Sequence, residues 1–168
     1  MLLHLPVNHR LRGAYRFLAG LTGLYVLAFG IVGLVVSRGH GVFARGHVEA
    51  LGLRTNVAFS ILSIVVGLVV LTGVVVGRNL DHYLNLFGGL AFLVVGMFML
   101  GLLQTPLNVF NYTVSKCVVS FVIGLVLFTA GLYTRTGPPE VEEAERRRRH
   151  SQPESLTRRT QRARPATS

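Results

Sequence analysis

Residues 56–77 read NVAFSILSIVVGLVVLTGVVVG, twenty-two positions without a single Asp, Glu, Lys, Arg or His. An uncharged apolar helix of about 20 residues spans the roughly 30 Å hydrocarbon core of a bilayer, and in lipid only a helix satisfies its own backbone groups within one segment. The β-branched run SIVVGLVVLTGVVVG (residues 63–77) would suit a buried strand by composition. Its length exceeds the roughly 4–8 residues of a strand, which favours a helix in the membrane. Outward from this segment, residues 17–36, 84–103 and 117–133 are also free of charge. The last of these is at the short limit for a span. The expected fold is all-α: a four-helix transmembrane bundle (14–134) between an N-terminal segment (1–13) and a basic tail (135–168).

Composition agrees. Of 168 residues, 51% are hydrophobic and 14% charged, against about 25% charged in soluble domains. The net charge of +10 belongs to the tail and loops, because nine of the 17 basic residues follow Tyr133. A lone cysteine, Cys117, excludes an intramolecular disulfide and any paired-cysteine metal or redox motif, and is expected to be a small packing residue. The first span follows Arg10, Arg12 and Arg16 and so imitates a signal peptide, but its apolar run exceeds the roughly 7–15 residues of such a segment; a retained helix is expected.

Two stretches repeat. At an offset of 57, SIVVGLVVLTG (63–73) aligns with SFVIGLVLFTA (120–130) with six of eleven positions identical, and at an offset of 66, GLYVLAFG (23–30) aligns with GLAFLVVG (89–96) with four of eight identical. Two duplicated helical hairpins of the same topology, a parallel repeat about the membrane normal, are expected. Gly23 and Gly30, Gly89 and Gly96, and Gly124 and Gly131 are each seven apart, and Gly67 pairs with Ser63 in a small-xxx-small pattern. Small residues let membrane helices approach closely, so these seven glycines are the expected helix-packing residues, with helices 1 and 3 meeting through their glycine faces.

Chemistry is sparse. Charge within a membrane is expensive and usually functional, yet none of the four expected spans carries Asp, Glu, Lys, Arg or His. Arg78, Asp81 and His82 fall in a short turn, GRNLDHY, where Asp81 and Arg78 are expected to form an interfacial ion pair. Thr72 and Thr129 are expected to bond to the carbonyls of their own preceding turns. His40, His47 and Glu49 share a loop, but a seven-residue His spacing across glycines is not a metal-ligand motif. Phe43, Val48, Leu51 and Leu53 in that loop suggest a short helix lying in the interface or a solvated loop. Asn111-Tyr112-Thr113 is an N-x-T sequon set close to the membrane. No catalytic residue, cofactor or metal is expected.

The tail opens on Gly137, Pro138 and Pro139, which end the last helix. Glu142, Glu143 and Glu145 stand four residues before Arg146, Arg147 and Arg149, the favourable order for ion pairs on a short helix; beyond them the composition is that of a disordered chain. Arg146, Arg147, Arg148 and Arg149 are the expected contact for anionic lipid headgroups or an acidic partner, at about 1 kcal/mol per basic residue near the surface. Nucleic acid is disfavoured, since no aromatic is interleaved with the arginines.

The segments HLPVNHRLRGAYR (4–16), FARGHVEALGLRTN (43–56), FSILSIVVG (59–67), GRNLDHYLNLFGG (77–89) and CVVSFVIGLVLFTAGLY (117–133) resemble a family of actinobacterial four-transmembrane-helix membrane proteins, a domain of unknown function. The resemblance covers residues 4–134. It implies a bacterial plasma membrane and the four-helix fold, and brings no activity or site residues with it. The expected role is a non-enzymatic scaffold or accessory subunit with a membrane protein or a second copy as partner. The alternative is a small oligomeric channel or transporter for an uncharged or lipid-like substrate.

Basic residues set orientation. Arg10, Arg12, Arg16, Arg78, Arg135 and Arg146 to Arg149 flank the spans on one side, against Arg38, Arg45, Arg54 and Lys116 on the other, nine to four. Both termini are therefore predicted to be cytoplasmic. Cysteines placed at Arg45 and at Ser151 in a Cys117→Ala background should be labelled on intact cells by an impermeant thiol reagent at 45 and spared at 151. Labelling at 151 alone would reverse the orientation.

Overall fold

The computed structural model describes residues 11–135, apart from the side chain of Arg78. The N-terminal ten residues and the tail, with Arg146 to Arg149, lie outside them. Among the described residues the chain forms four helices, α1 (Arg12–Val36), α2 (Val57–Val76), α3 (Arg78–Leu102) and α4 (Val114–Tyr133), and one two-stranded hairpin, β1 (Glu49–Ala50) with β2 (Leu53–Arg54). Each helix is long and apolar enough to cross a membrane. At about 1.5 Å per residue, even the 20-residue α2 and α4 reach about 30 Å. The chain is a multi-pass membrane protein built as a helical bundle.

The elements themselves repeat. α1 and α3 are both 25 residues long and begin 66 positions apart; α2 and α4 are both 20 residues long and begin 57 apart, the offsets of the sequence alignment. Even the caps correspond. Asn56 accepts a hydrogen bond from the Phe59 amide at the start of α2, and Thr113 accepts one from the Lys116 amide at the start of α4, each satisfying one of the orphan donors of a helix start.

α1 packs against α2 and α3 against α4, with the α1–α4 and α2–α3 seams closing the ring. This corrects the expectation that helices 1 and 3 meet through glycine. Each glycine face instead closes on the other helix of its own hairpin. A Cβ on Gly67 would lie 2.7 Å from the Leu27 amide nitrogen, and one on Gly30 would lie 2.7 Å from the Ile64 amide nitrogen. In the second hairpin, Gly124 lies against Leu93, Gly96 against Phe121, Gly89 against the Phe128 backbone and Gly131 against the Leu86 backbone. Leu93 and Phe121 are the repeat equivalents of Leu27 and Ile64. Gly23 meets Leu71 as Gly89 meets Phe128, and Gly20 opposite Val74 is inverted to Leu86 opposite Gly131. In that last pair the small and the large residue have exchanged helices at an equivalent crossing.

The connections differ from the sequence expectation. α2 passes to α3 through Gly77 alone, at φ 66° and ψ −141°, a conformation that favours glycine. The stretch expected as a turn is therefore the start of α3. The loop after α1 forms a hairpin rather than an interfacial helix, pairing Glu49 with Arg54 and Ala50 with Leu53. Its two turn residues, Leu51 and Gly52, have φ of 47° and 78°, the positive values that a two-residue hairpin turn of the I′ type requires.

The glycine contacts make a sharp comparison within one helix. Gly89 abuts the α4 backbone, whereas its neighbour Gly88 and the more distant Gly101 have nothing within 4 Å of an added Cβ. Gly67→Leu and Gly89→Leu should each lower stability in detergent by about 3 kcal/mol or more, the upper end for overpacking. Gly88→Leu and Gly101→Leu should stay within about 0.5 kcal/mol of the parent. Thermal unfolding followed by circular dichroism would read the difference, and equal tolerance of all four would reject the packing role.

Candidate functional site: polar clusters at the two ends of the bundle

Both ends of the bundle hold buried polar residues. At the end where α1 and α3 begin, Arg16 on α1 reaches across to α3, its Nε 3.3 Å from Oδ2 of Asp81. The Arg78 side chain, the partner expected for Asp81, lies outside the described residues. Arg16 also donates to the Val74 carbonyl near the end of α2. Asp81 is wholly buried, and its Oδ1 accepts from Nδ2 of Asn85 at 2.5 Å. The two residues are four apart and so share one helical face. Asp81 also sits in the first turn of α3, where the helix dipole favours a negative charge.

His82 is 5% exposed, with Nδ1 2.6 Å from the Gly131 carbonyl oxygen. A carbonyl only accepts, so Nδ1 carries the proton. Tyr15 of α1 stacks on Tyr133 of α4 with ring centroids 4.9 Å apart. Nε of Arg12 and Oδ1 of Asn85 are buried without a hydrogen-bond partner among the described residues, and Oδ2 of Asp81 has only its ion pair with Arg16.

At the opposite end, Lys116 in the first turn of α4 is 3% exposed. Its Nζ donates to the carbonyls of Phe110 at 2.8 Å and Asn111 at 3.4 Å. It also lies 3.5 Å from the ring centroid of Phe59 and 4.6 Å from that of Tyr112. Attraction to ring quadrupoles strengthens where water is excluded, so the two rings and two carbonyls together hold the ammonium. Phe59 and Lys116 are repeat equivalents, which places this contact where α2 and α4 face one another. Burial pushes the Tyr112 phenol above its ordinary range, opposed by a hydrogen bond with Ser120, so the ring beneath the cation stays neutral.

The loops are knotted around this cluster. Asn56 donates through Nδ2 to the Val109 carbonyl at 2.8 Å, and Asn111 donates through Nδ2 to the Gly46 carbonyl at 2.9 Å. Asn108 accepts from the Tyr112 amide at 2.7 Å. Asn111 is 5% exposed at a φ of 52°, so the sequon asparagine is a structural strut between the two loops. Of the loop histidines, His47 lies with Nδ1 2.9 Å from an Nη of Arg54. Thr72 bonds to the Leu68 carbonyl at 2.8 Å, as expected, and Cys117 is fully buried.

Adjoining the Lys116 cluster lies a cavity of roughly 30 Å³ lined by Val26, Phe59, Ser63, Phe92, Lys116 and Ser120, among others. Ser63 and Ser120 are repeat equivalents, as are Val26 and Phe92, so the cavity sits where the two hairpins face each other. It is large enough for one or two waters. Ser63 already donates to the Phe59 carbonyl at 2.8 Å.

The expectation of charge-free spans therefore changes: Asp81, His82 and Lys116 are helical and buried, on the opening turns of α3 and α4. The sequence reading missed Asn85, Arg16 and Asn56 as network members. The i, i+4 pair Asp81–Asn85 was the available signal for the first, and the offset of 57 linking Asn56 to Thr113 was the signal for the caps. No family model, curated protein or solved structure matches the chain.

The Arg16–Asp81 pair has unequal partners. Arg16 is 31% exposed along its side chain and Asp81 not at all. An arginine deprived of its partner can extend toward water, whereas a buried carboxylate cannot. Arg16→Gln should therefore cost upwards of about 2 kcal/mol in detergent, from an uncompensated buried charge. Asp81→Asn should cost less, and the double variant Arg16→Gln/Asp81→Asn should be more stable than Arg16→Gln alone. Additive losses in a thermal double-mutant cycle would show that the pair is not coupled.

Proposed function

We propose that this protein is a non-enzymatic scaffold or accessory subunit of a bacterial plasma membrane, with both termini cytoplasmic, that works by holding a membrane protein partner. The observation that carries this reading is the outward face of α3. Tyr83, Phe87, Leu90, Val94, Met97 and Gly101 follow one another at alternating spacings of four and three, the a/d repeat of a helix that crosses a neighbour in a left-handed sense. All face outward; Phe87 is 64% exposed and Met97 66%. The stripe is aromatic at one end and closes on a small residue at the other, a surface suited to another helix as well as to lipid. The buried polar groups meanwhile engage mainly one another and the backbone.

The cavity between the hairpins favours the rival reading, a conduit for a small uncharged solute. At roughly 30 Å³ it accommodates little more than water, so conduction would require a path between protomers. The tail arginines Arg146 to Arg149 would add contacts to anionic headgroups or to an acidic segment of the partner.

Purification from native membranes in mild detergent, followed by mass spectrometry, should recover a specific membrane protein or a second copy of this chain. Recovery should fall at least tenfold in Phe87→Ala/Met97→Ala, whose outward positions leave the bundle intact. Solute flux through liposomes of the pure protein, with partner recovery indifferent to the α3 face, would instead support the conduit.

A further inference from the structure

A groove of about 500 Å³ runs along the outside of the α1–α2 hairpin. Gly20 forms its floor, and Phe17, Leu24, Leu71 and Val74 are among its walls. Arg16 stands at its mouth. Phe17 and Leu24 are 68% and 55% exposed, so the groove opens to lipid rather than to the bundle interior. Its α1 wall runs from Gly13 to Leu24. At about 1.5 Å per residue this is ~16 Å, close to half of the roughly 30 Å hydrocarbon core. The groove is therefore one leaflet deep, apolar along its length, with a cation at the depth of the headgroups.

Among the described residues, the charge at the mouth is not neutralised. Arg12 precedes Arg16 by one turn on the same face, and both guanidiniums stand near a single carboxylate, Asp81. Arg16 uses Nε on Asp81 and Nη2 on the Val74 carbonyl, which leaves its Nη1 hydrogens without an acceptor among the described residues. Nε of Arg12 has no partner among the described residues either. A guanidinium presents a fork of donors that matches a phosphate bidentately. A second outward groove, between α1 and α4, offers an internal comparison. Lined by Leu21, Thr22, Tyr25, Val122 and Val126 among others, it contains no charged residue.

We infer that the α1–α2 groove is a binding site for an anionic phospholipid, one acyl chain lying over Gly20 and the phosphate meeting Arg16, with the charge of Arg12 one turn away adding to the attraction. The site is separate from the tail arginines, and it rests only on the protein's being embedded in a bilayer.

The chain contains no tryptophan, so a single introduced tryptophan reports on its own surroundings. Phe17→Trp places it in this groove, and Val122→Trp places it in the uncharged one. Each variant would be reconstituted in phosphatidylcholine vesicles, and quenching measured with chain-brominated phosphatidylglycerol or chain-brominated phosphatidylcholine at equal mole fraction. One net cation near the surface corresponds to about a fivefold preference. Phosphatidylglycerol should therefore quench Phe17→Trp with about fivefold higher apparent affinity than phosphatidylcholine, and the two lipids should be equal at Val122→Trp. The preference should shrink in 1 M salt, where the Debye length is about 3 Å.

Two further variants test the two halves of the site in the Phe17→Trp background. Arg12→Gln should reduce the preference without unfolding the bundle, as its Nε has no partner to lose. Gly20→Leu should block the chain: its Cβ would stand 3.6 Å from Val74, an ordinary contact, so the added side chain fills the groove. Equal quenching of the two tryptophans by phosphatidylglycerol overturns the proposal. A preference that survives Gly20→Leu also overturns it, because headgroup attraction would then act without the groove.

Discussion

The closest constraint in this molecule is the approach of helix backbones at glycine. In a bilayer no hydrophobic force draws two apolar helices together, since lipid solvates their side chains as well as a neighbour would. Cohesion must come from close packing, which requires removing the side chains between two backbones. Gly30 and Gly67 do this in the first hairpin, Gly89 and Gly131 in the second, each leaving less than 3 Å between a notional Cβ and a backbone atom of the facing helix. Everything else follows from those seams. They define the hairpins as units, dictate which faces remain for lipid, and set the outward stripe of α3.

The two hairpins are equivalent in length, capping and contact, but not in chemistry. Tyr15 and Arg16 on α1 correspond to Asp81 and His82 on α3, and Phe59 on α2 corresponds to Lys116 on α4. At both ends the polar residue of one hairpin engages the other: Arg16 meets Asp81, and Lys116 meets the face of Phe59. Identical copies could not make the second contact, because two ammonium groups at the equivalent positions 59 and 116 would repel across the seam. Difference between the two hairpins at these positions is what lets a cation on one face a ring on the other.

Much of this was legible in the sequence, and the limits have specific causes. The charge-free runs revealed four helices, and the aligned stretches 63–73 and 120–130 revealed the repeat, because apolar length and residue identity are local properties. The glycines were visible as packing residues, but not which helix each one faces. Seven-residue spacing places Gly23 and Gly30 on one side of α1 and carries no information about whether α2 or α3 lies opposite. The polar network was misjudged for a related reason. Ending each span at the first charge puts Asp81, His82 and Lys116 outside the membrane, whereas a helix continues through a charge that finds a partner inside the bundle. Asp81 finds Arg16, 65 residues earlier in the chain, and Lys116 finds two backbone carbonyls of a loop. The first partner is distant in sequence, and the second, though only five and six residues away, is backbone and so is not marked by composition.

The separation of backbone packing from polar contact along the bundle axis has its own logic. Charge costs most at the centre of the hydrocarbon and much less toward the interface, where side chains extend and water reaches them. Ion pairing and cation–ring contact between hairpins are therefore affordable only near the ends, and there they occur: Arg16 with Asp81 at one end, Lys116 with Phe59 and Tyr112 at the other. The seam between hairpins next to the Lys116 contact is filled by side chains such as Val26 and Phe92 and holds a cavity the size of a water or two. Each hairpin is thus rigid along its length through glycine contacts, and the two are joined most specifically at their ends. A bundle so joined holds its outer faces in fixed relation while leaving them free of its own internal chemistry, the property a membrane scaffold requires.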